Sequence, residues 1–328
     1  MYEQLKILDK IPINFSAGNM HIINIVLAFV MFGVALGIRP QMFKDVLMHP
    51  KSAVLGLSLH IIGLPLMTFL LVILLNSFHL ITPMVAMGMI LVASCPGGNM
   101  SNFMSHFSKA NTELAVSLTA INTALATFIT PFNFWFWGSM YVNFINKRAA
   151  YALQDLQIDN FQMFETVFIL LGIPLVVGML TARYLPKIAE KLKKPMQYFS
   201  FVFFIIMIIL AFSNNFDIFI QYIFFIFILV LIHNGTAFAM GYGWASLWKL
   251  SERDRRTLTI ETGIQNSGLG LVLLFNPKIF PHEVIIDGVK TPMLIGGMLF
   301  VTAWWGIWHI VSGLSISTYW SRKPPKEL

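Results

Sequence analysis

Apolar residues gather along this chain in nine runs parted by short polar stretches, at about 20–38, 52–76, 84–107, 112–138, 163–184, 198–213, 217–246, 257–279 and 291–319. Most reach the roughly 20 residues that an α-helix needs to cross a hydrocarbon layer. The run at 198–213 is shorter, and its helix is expected to extend upstream. The pattern predicts nine membrane-spanning helices.

Two runs are interrupted by residues that helices and lipid both resist. The third contains Ser94-Cys95-Pro96-Gly97-Gly98-Asn99-Met100-Ser101-Asn102. Pro96 removes a backbone N–H, and Gly97 and Gly98 weaken the helix further. Lipid cannot hydrate the freed groups, so protein or a ligand must satisfy them. On this stretch alone two readings stand: a kinked helix packed by its neighbours, or a broken helix that holds an ion or substrate. The eighth run contains Glu261-Thr262-Gly263-Ile264-Gln265-Asn266-Ser267-Gly268. Corresponding interruptions in two halves of a chain point to a secondary transporter's binding site. The halves are expected to divide near 146–160, and five spans per repeat would set them inverted in the membrane.

Composition fixes the class. Of the 328 residues, 57% are apolar and 11% charged, against about 25% charged in soluble domains. The mean hydropathy is +0.73. This predicts an integral membrane protein. The single cysteine, Cys95, excludes an internal disulfide. The stretch 1–19 is polar, so no cleavable signal peptide is expected.

The net charge of +7 is a topology signal rather than a nucleic-acid patch. With the loop after the first span placed inside, 16 of the 22 Lys and Arg residues fall on the inner side and 6 on the outer. That split obeys the positive-inside rule and sets the N-terminus outside and the C-terminus in the cytoplasm. Arg255 and Arg256 count among the inner charges, and 183–194 reads as a basic linker. Trp320 reads as an interfacial anchor.

Glu261 carries the most chemistry. An ionisable group at mid-membrane costs at least about 2.5–3.5 kcal/mol on insertion scales and persists only with a partner. Two states remain open for it, a carboxylate with a bound cation or a protonated acid within the bundle. Hard cations take oxygen ligands. Glu261, Ser101, Asn102 and Thr119 supply them, and Gln265 lies one turn beyond Glu261. Asn111 and Glu113 read as helix-capping residues. His233 and Asn234 read equally as interhelical hydrogen-bonding groups or ligand contacts. No His-Glu-x-x-His motif, Gly-x-Ser-x-Gly elbow or paired intramembrane aspartate is present, so no enzyme is expected.

These residues resemble the bile acid:sodium symporter family. The likeness rests on Cys95-Pro96-Gly97-Gly98, Ser101-Asn102, Glu261-x-Gly263-x-Gln265-Asn266-Ser267-Gly268, His233-Asn234-Gly235 and Trp308-His309, and covers about His21 to Trp320. It implies an all-α, inverted-repeat transporter with two crossing broken helices. The whole chain forms one transmembrane unit, with a panel at about 20–40 and 163–213 and a core at about 52–145 and 217–320. It implies sodium-coupled import of an organic anion by alternating access, the anion being bile-acid-like or pantothenate- or keto-acid-like. The first sodium site would use Ser101, Asn102, Thr119 and Glu261. The second would use Glu261, Gln265 and the carbonyls of Thr262 and Ile264. Asn99, Asn266 and His309 would face the substrate. The partners are sodium ions, the anion and the lipid bilayer. No cofactor, nucleic acid or obligate protein partner is expected, and the setting is a bacterial inner membrane.

The sequence departs from the family's pattern at three places. Ala115 stands where relatives offer a serine hydroxyl, and Ser117 points elsewhere on its helix. His60 stands where relatives offer a glutamine at the second site. Ile310 follows His309 where relatives often carry asparagine. The alternative reading is a proton-coupled transporter of the same fold, titrating His60 and Glu261.

Overall fold

The computed structural model describes residues 2–10, 17–38, 50–98, 100–146, 165, 168–213, 216–276, 279–280, 283–286 and 289–325. A short helix, Tyr2–Asp9 (α1), opens the chain, followed by Ala17–Ala35 (α2), Pro50–Ser77 (α3) and Pro83–Ser94 (α4). Met100–Phe107 (α5), Thr112–Asn146 (α6) and Phe168–Tyr184 (α7) come next. The second half holds Pro186–Ser213 (α8), Phe216–Leu247 (α9), Glu252–Gly263 (α10), Ser267–Leu274 (α11) and Gly296–Ser321 (α12). Among the described residues, α3, α6, α9 and α12 are long and apolar enough to cross a membrane, and α4 and α7 are shorter apolar helices.

Local chemistry explains where the helices start and stop. Pro83 occupies the first turn of α4, where its missing N–H costs nothing. The helix stops at Ser94 because the residue before a proline is pushed out of helical geometry. Cys95 is accordingly extended, at φ −75° and ψ 154°. Ser251 caps α10 by accepting the Asp254 N–H at 3.2 Å. Asn266 caps α11 in the same way, accepting the Leu269 N–H at 3.1 Å.

Two helices loosen into π-helical turns, at Leu59–Gly63 in α3 and Phe168–Gly172 in α7. Each turn lies just before a proline, Pro65 or Pro174. Proline cannot donate to the carbonyl four residues earlier and crowds it, so the helix widens there. In α3 that carbonyl is Ile61 O. It accepts instead from Asn133 Nδ2 of α6 at 2.9 Å.

Helices α2, α7 and α8 pack on one another, and α4, α9, α10 and α12 form a second packed set. The main apolar core is built from α4, α11 and α12, with Met87, Met89, Phe275, Phe300 and Trp305 fully buried.

The structure corrects several expectations. A β-hairpin, Glu283–Ile286 (β1) with Val289–Pro292 (β2), follows α11, so the chain is not wholly helical. Lys187 to Lys194 lie on α8 rather than in a linker. The fourth span runs on to Asn146. Trp320 is buried, with the Arg256 guanidinium over its ring, rather than placed as an interfacial anchor.

Candidate functional site

The two interruptions meet. After α4 the chain is extended through Cys95–Gly98, and after α10 it is extended through Ile264–Gln265. The extended pieces pair as a single antiparallel bridge between Gly97 and Gln265. Gly98 N donates to Ile264 O at 2.9 Å, and Asn266 N donates to Pro96 O at 2.8 Å. Each break thus satisfies backbone groups that the other leaves unpaired, as hydrocarbon demands. Asn234 of α9 adds a third tie, donating Nδ2 to Gly263 O at 2.7 Å while its Oδ1 accepts from Ser312 at 2.6 Å. This places Asn234 as a support for the break. His233 beside it bonds Thr68 at 2.7 Å and packs its ring, tilted by 59°, against Trp305, an interhelical role.

Glu261, 3% exposed, ends α10 beside this crossing. Ser101 donates to its Oε1, and Thr119 lies 3.0 and 3.1 Å from its two carboxylate oxygens. Thr119 also reaches Asn102 Oδ1 at 3.2 Å and Ser101 Oγ at 3.3 Å. Four oxygen-bearing side chains from α5, α6 and α10 therefore converge. Among the described residues no Lys, Arg or His pairs with Glu261. Gly97 makes room for the carboxylate: a Cβ there would stand 2.9 Å from Glu261 Oε2.

On the other side of the bridge the polar groups are less complete. Gln265 Nε2 donates to Thr262 O at 2.7 Å, and its Oε1 is buried without a partner. The Ile264 carbonyl accepts from Gly98. His60 lies near Gly97, with Nε2 3.2 Å from Cys95 O. Because a carbonyl only accepts, Nε2 carries the proton and Nδ1 is a bare lone pair. Nδ1 has no partner.

Two of the three residues expected to face substrate, Asn266 and His309, are among the described residues. Asn266 is half-buried, and its Oδ1 is engaged in capping α11. His309 is buried on α12, with Nδ1 unpartnered. Asn99 lies outside the described residues. Ala115 is fully buried and offers no oxygen.

Arg256 is a residue that the sequence reading treated only as a loop charge. It is 3% exposed, pairs with Glu252 at 3.1 Å and donates to the carbonyls of Ser108, Trp320 and Lys323. It thereby ties the ends of α5 and α12 to the helix that carries Glu261. Two residues earlier, Asp254 accepts from Ser52 at 2.7 Å and Asn111 Nδ2 at 2.8 Å. Asn111 Oδ1 accepts from Leu114 N at 3.1 Å, the capping role expected of it.

The sequence comparison identifies the family. A model of the sodium bile acid symporter family matches residues 24–222, well over half of the chain. The chain belongs to that family. A sodium-dependent transporter of Bacillus subtilis is 28% identical over 93% of this chain and 84% of its own length. A probable chloroplastic sodium/metabolite cotransporter of Oryza sativa is 26% identical over 92% of this chain and 66% of its own. The human sodium/bile acid cotransporter 4 is 24% identical over 91% and 65%. The chain thus spans about two thirds of the length of these plant and human relatives. As a member of the sodium bile acid symporter family it is a multi-pass membrane protein of a transporter class, not an enzyme.

Proposed function

We propose that this family member is a sodium-coupled symporter that imports an organic anion by alternating access. The observation that carries the reading is the convergence of Glu261, Ser101, Thr119 and Asn102 at the helix crossing, where no Lys, Arg or His among the described residues pairs with the carboxylate. Oxygen donors around a buried carboxylate are the chemistry of a hard cation. Ser101, Asn102, Thr119 and Glu261 would form the first sodium site. Ala115 leaves it without the hydroxyl that relatives offer, so water or backbone would complete the shell.

The second site would use Glu261, Gln265 Oε1 and the carbonyls of Thr262 and Ile264. Each carbonyl already accepts one hydrogen bond and keeps a lone pair free. The orphaned Gln265 Oε1 fits a cation there. His60 stands beside this site and turns its N–H to Cys95 O, so it closes the pocket wall rather than adding an oxygen. Sodium bound at Glu261 neutralises the carboxylate and joins the two broken helices.

The anion would bind on the N-terminal side of α5 and α11, where helix dipoles favour negative charge. Asn99, Asn266 and His309 are assigned to it. The relatives named for bile acids and metabolites support an organic anion as the class. Helices α2, α7 and α8 would form the panel, and 52–145 with 217–320 the core that rocks against it. Nine spans in inverted repeats, with the N-terminus outside and the C-terminus in the cytoplasm of a bacterial inner membrane, complete the assignment. The loop charges support that orientation.

Uptake of candidate anions into proteoliposomes tests the proposal. Uptake is expected to need an inward sodium gradient and to vanish in Glu261→Ala. Undiminished uptake in potassium under an imposed pH gradient would overturn it.

A further inference from the structure

One exposed face of α8 grades from charge to hydrocarbon. Lys187, Lys191, Lys194, Tyr198, Val202 and Ile205 follow one another at steps of four and three residues. That spacing sets them on the same side of the helix, and all six are exposed. The chemistry passes from ammonium to phenol to aliphatic carbon within about 27 Å, at 1.5 Å per residue.

This order is that of a lipid leaflet. Val202 and Ile205 suit the acyl chains, and Tyr198, 72% exposed, suits the boundary with the headgroups, where tyrosine concentrates. The headgroup layer is roughly 5–7 Å deep on each side of a bilayer. Lys194 stands about 6 Å beyond Tyr198 along the helix, at the depth of the lipid phosphates. Lys191 and Lys187 follow one and two turns further out, and their long stems let the ammonium groups bend back to the surface.

Among the described residues none of these three lysines forms an ion pair or a hydrogen bond. Glu190, the one acid in 183–194, has a partner of its own. Lys193 differs from the three: it is half-buried and its Cε faces Gly37, just beyond α2.

Large apolar side chains stand at the same end of α8. Tyr184, Leu185 and Ile188 are each 47% exposed or more, and the Arg183 guanidinium lies over the Tyr184 ring at 5.5 Å. A soluble phosphate would use the charges and leave these three side chains in water. A phospholipid uses both, its phosphate among the ammonium groups and its chains along the apolar face. A zwitterionic lipid brings a cation of its own toward the lysines, so an anionic lipid fits.

We propose that Lys187, Lys191 and Lys194 hold the headgroup of an anionic phospholipid against α8. The site lies on the packed set of α2, α7 and α8 and does not depend on the sodium reading. Each lysine beside an anionic headgroup is worth about fivefold in binding.

The full-length protein tests this, with Cys95→Ala and with Tyr198→Cys carrying a fluorophore, in phosphatidylcholine vesicles. Brominated phosphatidylglycerol or brominated phosphatidylcholine serves as the quencher. Half-maximal quenching is expected at a mole fraction about tenfold lower for phosphatidylglycerol. Lys187→Gln, Lys191→Gln and Lys194→Gln together bring the two lipids level. Arginine at the same three positions keeps the preference, and Lys51→Gln leaves it unchanged. Equal quenching by both lipids in the wild-type background, or an undiminished preference in the triple Gln variant, would overturn the proposal. Loss of the preference in Lys51→Gln would show a diffuse surface charge and overturn the site. At constant ionic strength, relief of quenching by inorganic phosphate or by a polyglutamate peptide would reassign the lysines to a soluble anion or an acidic protein segment and would overturn it too. A label-free measurement stands beside this one. Phosphatidylglycerol, and not phosphatidylcholine, is expected to raise the unfolding temperature of the unmodified protein in detergent, and the triple Gln variant is expected to lose that rise. Equal rises with the two lipids would contradict the proposal.

Discussion

A Cβ added at Gly97 would stand 2.9 Å from Glu261 Oε2, closer than side-chain carbons approach oxygen. The glycine that breaks one helix therefore leaves the space in which the carboxylate of the other sits. Gly97→Ala is expected to displace Glu261 from Ser101 and Thr119. The sodium concentration at the midpoint of thermal stabilisation should rise tenfold or more, since one charge-assisted contact is worth about 1.5–3 kcal/mol. A sodium titration of the purified variant checks this.

Arg256 joins three helix-end carbonyls to Glu252 from an almost fully buried position. Replacing it removes the guanidinium from the Ser108 and Lys323 carbonyls, leaves the Trp320 carbonyl to its backbone donors, and leaves Glu252 without its cation. Arg256→Met is expected to destabilise the protein by about 3 kcal/mol. Arg256→Lys should recover only part, because an ammonium cannot spread its donors as a guanidinium does. Thermal unfolding in detergent orders the three proteins as wild type, Lys, Met.

Asp9 ends α1 and is buried against the start of α4, where Thr82 donates to it at 2.9 Å and Met84 N at 3.4 Å. Burial raises its carboxyl to about 7, and the two hydrogen bonds only partly offset this. The folded protein then binds the Asp9 proton more tightly than the unfolded chain, where the pKa is about 3.9. Its contribution to the docking of α1 is fully present below about pH 4 and is lost as the pH rises through about 7. Hydrogen-exchange protection over residues 2–10, taken relative to the intrinsic rate at each pH, should be greater at pH 5.5 than at pH 8, and Asp9→Asn should remove the difference.

Much of the crossing was legible because its causes are local. Pro96, Gly97 and Gly263 carry the breaks in their own chemistry, and the oxygen donors Ser101, Asn102, Thr119 and Glu261 do come together. The groups that serve stranded carbonyls elsewhere were less readable. Asn133 serves the Ile61 carbonyl from 72 positions away, and a sequence does not show which carbonyl a proline strands. Arg256 looked like any positive-inside charge, since only the folded helix ends reveal it as a clamp. The hairpin did leave a signal: Asp287-Gly288 stands between Glu283–Ile286 and Val289–Pro292, a turn dipeptide flanked by β-branched residues. The expectation of an all-helical chain passed over it.

The carboxylate at the crossing is the centre of the account, and sodium binding to the purified protein tests it most directly. Thermal unfolding of the wild type and Glu261→Ala is to be followed in sodium and in potassium at constant ionic strength. Sodium should raise the unfolding temperature of the wild type in a saturable manner, potassium should not, and Glu261→Ala should respond to neither. Saturable stabilisation of Glu261→Ala by sodium at the wild-type midpoint would contradict the assignment.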